Sequence, residues 1–143
     1  MLKVWIVVGH SMDARIYSNR ADGLQLKQIR RLDNPGTQIF GANSAPAPYW
    51  VRRFARDLSA LLEMAAAATE YDELMLAAPA DFLQALSDEI GPATRQRLRR
   101  SISEDLTQLG PLDLEKRLLQ IMGLGATAPA AELAVNSRQT SRN

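Results

Sequence analysis

Residues 95–110 read RQRLRRSISEDLTQLG, and whether this stretch is helix or strand decides how many strands the fold contains. Leu98, Ile102, Leu106 and Leu109 recur four, four and three residues apart, the spacing of one helical face. Alternation through Leu98, Arg100 and Ile102 suits an edge strand instead. Periodicity alone prefers the helix. The stretch also concentrates positive charge at Arg95, Arg97, Arg99 and Arg100 before turning acidic at Glu104 and Asp105.

Upstream the pattern is clearer. LKVWIVV, Leu2 to Val8, has apolar groups on both faces and many β-branched or aromatic residues, as a strand buried on two sides requires. Gly9, His10 and Ser11 supply a turn, ARIYS can pair back antiparallel, and Ala21-Asp22-Gly23 turns the chain into LQLKQIRRL. These elements predict a three-stranded meander. Asn34-Pro35-Gly36 ends it, and the prolines and glycines up to Pro48 make a loop or short linker.

A helix is expected from Tyr49 to about Thr69. Trp50, Phe54, Leu58, Leu61, Leu62 and Ala65 recur at three- and four-residue spacing, while Arg52, Arg53, Arg56 and Asp57 fall mostly elsewhere on the wheel. ELMLAAP then reads as a buried strand stopped by proline. DFLQALSDEIG follows as a helix with Phe82, Leu83, Leu86 and Ile90 on one stripe. Asp81 stands where its charge complements the helix dipole, and Gly91-Pro92 stops the helix. Leu112 to Gly123 is a last amphipathic helix. The expected organisation is one α/β domain over residues 1–123 and a loose tail at 124–143, where apolar area is too small to offset chain entropy.

Composition narrows the function classes. The 143 residues carry 17 Lys plus Arg against 16 Asp plus Glu, a net charge of +1. That is far from the basicity that attracts phosphate backbones unspecifically, so any nucleic-acid contact must be local. There is no cysteine, which removes disulfides, thiol nucleophiles and thiolate metal sites. MLKVWIVVGH lacks the apolar length of a secretory signal, and LSALLEMAAAAT is too short to cross a bilayer. A cytoplasmic location without membrane insertion is expected.

His10-Ser11-x-Asp13 holds the residue types of a hydrolase triad. Neighbours on one turn do not align nucleophile, base and orienter without special geometry, so a polar turn is the simpler reading. As the single histidine, His10 also does not supply a multi-imidazole metal site. Asp13, Asp72, Glu73, Asp105 and Asp113 show no metal-ligand spacing and read as surface carboxylates. Arg52, Arg53 and Arg56, with Arg97, Arg99 and Arg100, are candidates for an RNA or partner face, set against a solvated surface with ion pairs.

Three segments together resemble the bacterial host-attachment protein family, whose members look like reduced relatives of the middle domain of archaeal and eukaryotic peptide-chain release factors. WIVVGHSMDARIY is similar to the family's first two strands, with Ala14, Arg15, Ile16 and Tyr17 at their end. RFARDLSALLEMAAAATEYDELMLAAPADFLQALSDEI follows its helix, its strand ending in Ala-Pro and its next helix. Leu98 through Asp105-Leu106-Thr107 resembles its basic-then-acidic segment.

The resemblance implies a ribonuclease H-like α/β architecture, with an antiparallel three-stranded meander followed by alternating helices and strands. In that frame Arg99 to Glu104 is a strand, since a helix would leave the sheet one strand short. The resemblance further implies a non-catalytic protein that supports attachment of bacteria to host cells indirectly, through a protein partner the sequence does not identify. The alternative it implies is an RNA- or ribosome-associated factor. The release-factor Gly-Gly-Gln tripeptide is absent, which argues against peptidyl-tRNA hydrolysis. Where the family often carries Asp after the first strand, this chain has His10. The segment from Gly41 to Pro48 is also shorter than the family's basic linker. No cofactor is implied.

Overall fold

The computed structural model describes residues 2–20, 25–36 and 48–122. The expected Ala21-Asp22-Gly23 turn, most of the linker before Pro48 and the tail at 124–143 lie outside the described residues. A boundary after Gln108 divides the chain into two compact units.

The first unit holds one five-stranded sheet. Its strands are β1 (Lys3–Gly9), β2 (Asp13–Arg20), β3 (Lys27–Asp33), β4 (Glu73–Ala78) and β5 (Leu98–Ser103), in the order β3-β2-β1-β4-β5. The first three form the antiparallel meander, and β4 and β5 add in parallel to β1. Parallel addition needs crossovers, which helices supply. They are α1 (Pro48–Ala67), α2 (Ala80–Glu89) and the short α3 (Pro92–Arg97).

Burial follows register. Trp5 and Val7 of β1, Ala14 and Ile16 of β2, and Leu74, Leu76 and Ala78 of β4 form one face. Against it α1 lays Phe54, Leu58, Leu62 and Ala65, and α2 lays Phe82 and Leu86. Phe54 and Phe82 stack with centroids 5.7 Å apart, and Trp5 stacks on Tyr71 at 4.8 Å. Ile6 and Val8 point to the opposite face and are equally buried. Burial of β1 on both faces therefore accounts for the unbroken apolar run. The edge strand β3 is exposed and charged at Lys27, Arg30, Arg31 and Asp33, which discourages edge-to-edge pairing.

Residues 98–103 are a strand, as the family order implies and against the helical periodicity. The misleading four-residue spacing from Leu98 to Ile102 arises at a register shift between Leu74 and Met75. Arg99 is the extra residue there, so Leu98 packs on the helix-side core while Ile102 pairs with Ala77 on the other face. The sequence reading also took Gly91-Pro92 only as a stop. Pro92 instead opens α3, whose first position needs no amide donor.

The expected α1 ends two residues early. Ala67 closes it and Thr69 adopts a positive φ of 55°, a left-handed residue that turns the chain toward β4. In the second unit, α4 (Pro111–Met122) carries Asp113 in its first turn.

Candidate functional site

The β1–β2 turn is fastened from three directions. The His10 backbone N–H donates to Asp13 O at 2.9 Å. The His10 ring accepts at Nδ1 from the amides of Met12 at 2.9 Å and Asp13 at 3.4 Å. Asn34, fully buried, donates through Nδ2 to the carbonyls of Ser11 and Trp50 and accepts the Gly36 amide at Oδ1. One side chain thus ties together the turn, the end of the meander and the start of α1.

An Nδ1 that accepts carries no proton, so in the neutral ring the proton sits on Nε2. That Nε2 faces Asp13 Oδ1 at 3.9 Å. Asp13 Oδ2 accepts from Arg31 at 2.8 Å, and Arg31 also reaches Asp33 at 3.2 Å. His10 and Asp13 are therefore close, but the ring's basic nitrogen is spent on the backbone. Ser11 contributes its carbonyl to Asn34. The three residues are held together as a turn.

The six candidate arginines divide between two layers. Arg52, Arg53 and Arg56 are exposed on α1. Arg53 bonds Tyr49 Oη at 3.3 Å and pairs with Asp57 at 3.7 Å, interactions that raise its pKa, the Tyr49 bond most. Arg56 pairs with Glu89 of α2 at 3.7 Å. Arg97 closes α3 and donates to the carbonyls of Tyr71 and Ala93. Arg99 pairs with Glu73 at 3.3 Å and donates to Gln96 O. Arg100 pairs in register with Met75, whose side chain alternates away from the core residues Leu74 and Leu76. Arg100 thus lies on the sheet face opposite α1. Arg52, Arg97 and Arg100 are the candidates with no ion pair among the described residues, and of these Arg97 is engaged by backbone carbonyls.

The carboxylates are also dispersed. Asp72 accepts from the Lys3 amide, Glu73 holds Arg99, and Asp105 caps Thr107. Among the described residues no three His, Asp or Glu side chains gather as metal ligands, and no helix is long and apolar enough to cross a membrane.

Sequence reasoning missed Asn34 and Arg31 as partners of the turn. Period-2 alternation in DARIY puts Asp13, Arg15 and Tyr17 on one face but does not name their partners across the sheet. The register with β3 adds Arg31 to that face.

A family model, protein required for attachment to host cells, matches residues 43–118. The chain belongs to this family. The matched segment covers α1 through most of α4, including the strand that periodicity misread. No curated protein matches the chain by sequence. Among solved structures it is similar to an archaeal protein, at 14% identity and a TM-score of 0.50, over 86% of this chain and 34% of that one. It is also similar to Pelota of Archaeoglobus fulgidus, at 16% identity and a TM-score of 0.44, over 80% of this chain and 31% of that one. A third is the archaeal translation termination factor aRF1, at 14% identity and a TM-score of 0.43, over 84% and 39%. The chain spans about a third of the length of these proteins, and the likeness is one of fold alone.

Proposed function

We propose that this member of the host-attachment family is a non-catalytic cytoplasmic binding protein, supporting attachment of bacteria to host cells indirectly. The observation that carries the reading is how His10 is used. Its Nδ1 lone pair holds the Met12 and Asp13 amides, which removes the general base that the turn's residue types suggested. Asp13 is likewise engaged by Arg31.

The test is attachment of a bacterium lacking the protein, complemented with wild type or with Ser11→Ala. Wild type is expected to restore attachment, and Ser11→Ala, which removes the turn's hydroxyl nucleophile and keeps the backbone carbonyl that Asn34 holds, to restore it wherever the variant accumulates to wild-type level. Loss of attachment with normal accumulation overturns the non-catalytic reading. Fractionation of the same cells tests location, and recovery of the protein outside the cytoplasm overturns that part.

An RNA- or ribosome-associated role without peptidyl-tRNA hydrolysis is the second reading. It is favoured by Arg52 and Arg100, exposed cations with no ion pair among the described residues.

A further inference from the structure

On the sheet face turned away from α1, Arg15 and Arg31 stand directly opposite one another on β2 and β3. Like charges in a cross-strand pair repel, and these two are balanced unequally. Arg31 has Asp13 and Asp33. Arg15 has neither, and its Nε is buried without an acceptor.

Asp13 presents the complementary gap. The residue is 9% exposed, and while Oδ2 takes Arg31, Oδ1 is buried without a hydrogen bond. His10 Nε2–H lies 3.9 Å from that oxygen. The separation is too long for a direct bond, yet it lets one oxygen sit within hydrogen-bond reach of both.

The arrangement therefore offers guanidinium donors from Arg15 and Arg31, an imidazole N–H donor and one carboxylate acceptor. A bare anion satisfies the donors but faces the Asp13 carboxylate with nothing to give. We propose that His10, Asp13, Arg15 and Arg31 form a binding site for an oxyanion that carries a hydroxyl, of which hydrogen phosphate is the simplest. Its charged oxygens accept from Arg15 and Arg31, and its hydroxyl accepts from His10 and donates to Asp13. A phosphate ester with a neighbouring hydroxyl has the same chemistry. The site deepens the binding-protein reading, but the two are tested separately, on purified protein here and on complemented bacteria above.

The experiment is an NMR titration of the full chain at pH 7 and fixed ionic strength with inorganic phosphate, glycerol 3-phosphate and sulfate, following the Arg15 Nε and His10 ring signals. Phosphate or glycerol 3-phosphate is expected to shift both signals saturably, and the tighter of the two identifies the source. Sulfate, with the same shape and no proton, is expected to bind at least about tenfold more weakly. Arg15→Gln is expected to weaken the phosphate ligand about tenfold, and Asp13→Asn to narrow its margin over sulfate. Equal affinity for sulfate, or no saturable shift at Arg15 and His10 in the wild-type protein, overturns the proposal without depending on whether any variant folds.

Discussion

Glu63 of α1 holds the first turn of α3 through Thr94, whose amide and hydroxyl both donate to Oε1 at 2.9 Å. The Ala93 amide donates to the other carboxylate oxygen at 3.1 Å. A helix only six residues long contributes little stability of its own, and a carboxylate from another helix supplies the cap that its N-terminal amides lack.

The acid limb of stability should report this cap. The Thr94 amide does most to hold Glu63 below the usual carboxylate range; burial opposes it as the next largest effect, and the Thr94 hydroxyl, the Ala93 amide and nearby Arg97 add to the lowering. A carboxylate depressed in the folded state stabilises the fold above its unfolded pKa of about 4.3 and loses that contribution as pH falls through its folded value. Urea unfolding at pH 7 and at about pH 3 is expected to show a smaller acid loss in Glu63→Gln than in wild type, with lower stability at pH 7. Identical acid slopes would remove Glu63 from the account.

Tyr71 gives the opposite limb. It is fully buried against Trp5, its hydroxyl donates to Leu62 O at 3.0 Å, and burial pushes the phenol up. Because the folded pKa is raised, the stabilising effect is complete below the unfolded value of about 10 and is lost as pH rises through the folded value. Tyr71→Phe should remove that alkaline loss and cost about 1 kcal/mol at pH 7 through the deleted hydrogen bond. Chemical denaturation at pH 7 and pH 11 reads both effects.

Two glycines should behave differently when replaced by alanine. A Cβ at Gly36 falls 2.6 Å from both Cβ and Cγ of Trp50, whereas a Cβ at Gly110 meets nothing within 4 Å. Gly36→Ala must displace Trp50 from beside the Asn34 anchor and is expected to cost about 1–3 kcal/mol. Gly110→Ala should stay within about 0.5 kcal/mol of wild type. Equal thermal midpoints for the two variants would contradict the Gly36 packing.

The central strands were legible because burial on both faces leaves an unbroken apolar run in WIVV and LMLAA, with no amphipathic ambiguity. The edge strand at Leu98–Ser103 was not. Its register shift gave Leu98 and Ile102 a helical interval, and its neighbours, unlike those of β1, leave Arg99, Arg100 and Ser101 exposed. The turn residues His10, Ser11 and Asp13 could be named from sequence, but their chemistry could not. What decides it is that His10 Nδ1 faces two amides and that Arg31 arrives from a strand 18 residues after Asp13. Neither relation leaves a trace in local spacing.

The placement of the arginines yields a prediction specific to the RNA reading. Arg53, Arg56 and Arg99 are ion-paired, whereas Arg52 and Arg100 are free among the described residues and lie on opposite layers. A single-stranded RNA of about six nucleotides, within the usual span of one binding groove, that runs along one layer engages one of these two. If such an oligonucleotide binds, its affinity should fall with salt, and either Arg52→Gln or Arg100→Gln should reduce the magnitude of the logarithmic salt slope by about 0.7. Substitution of the other should leave the slope unchanged. Fluorescence anisotropy across a salt series measures this directly. Loss of slope in both single variants would mean that the two arginines share one binding path, while no detectable binding at low salt would dispose of the RNA reading.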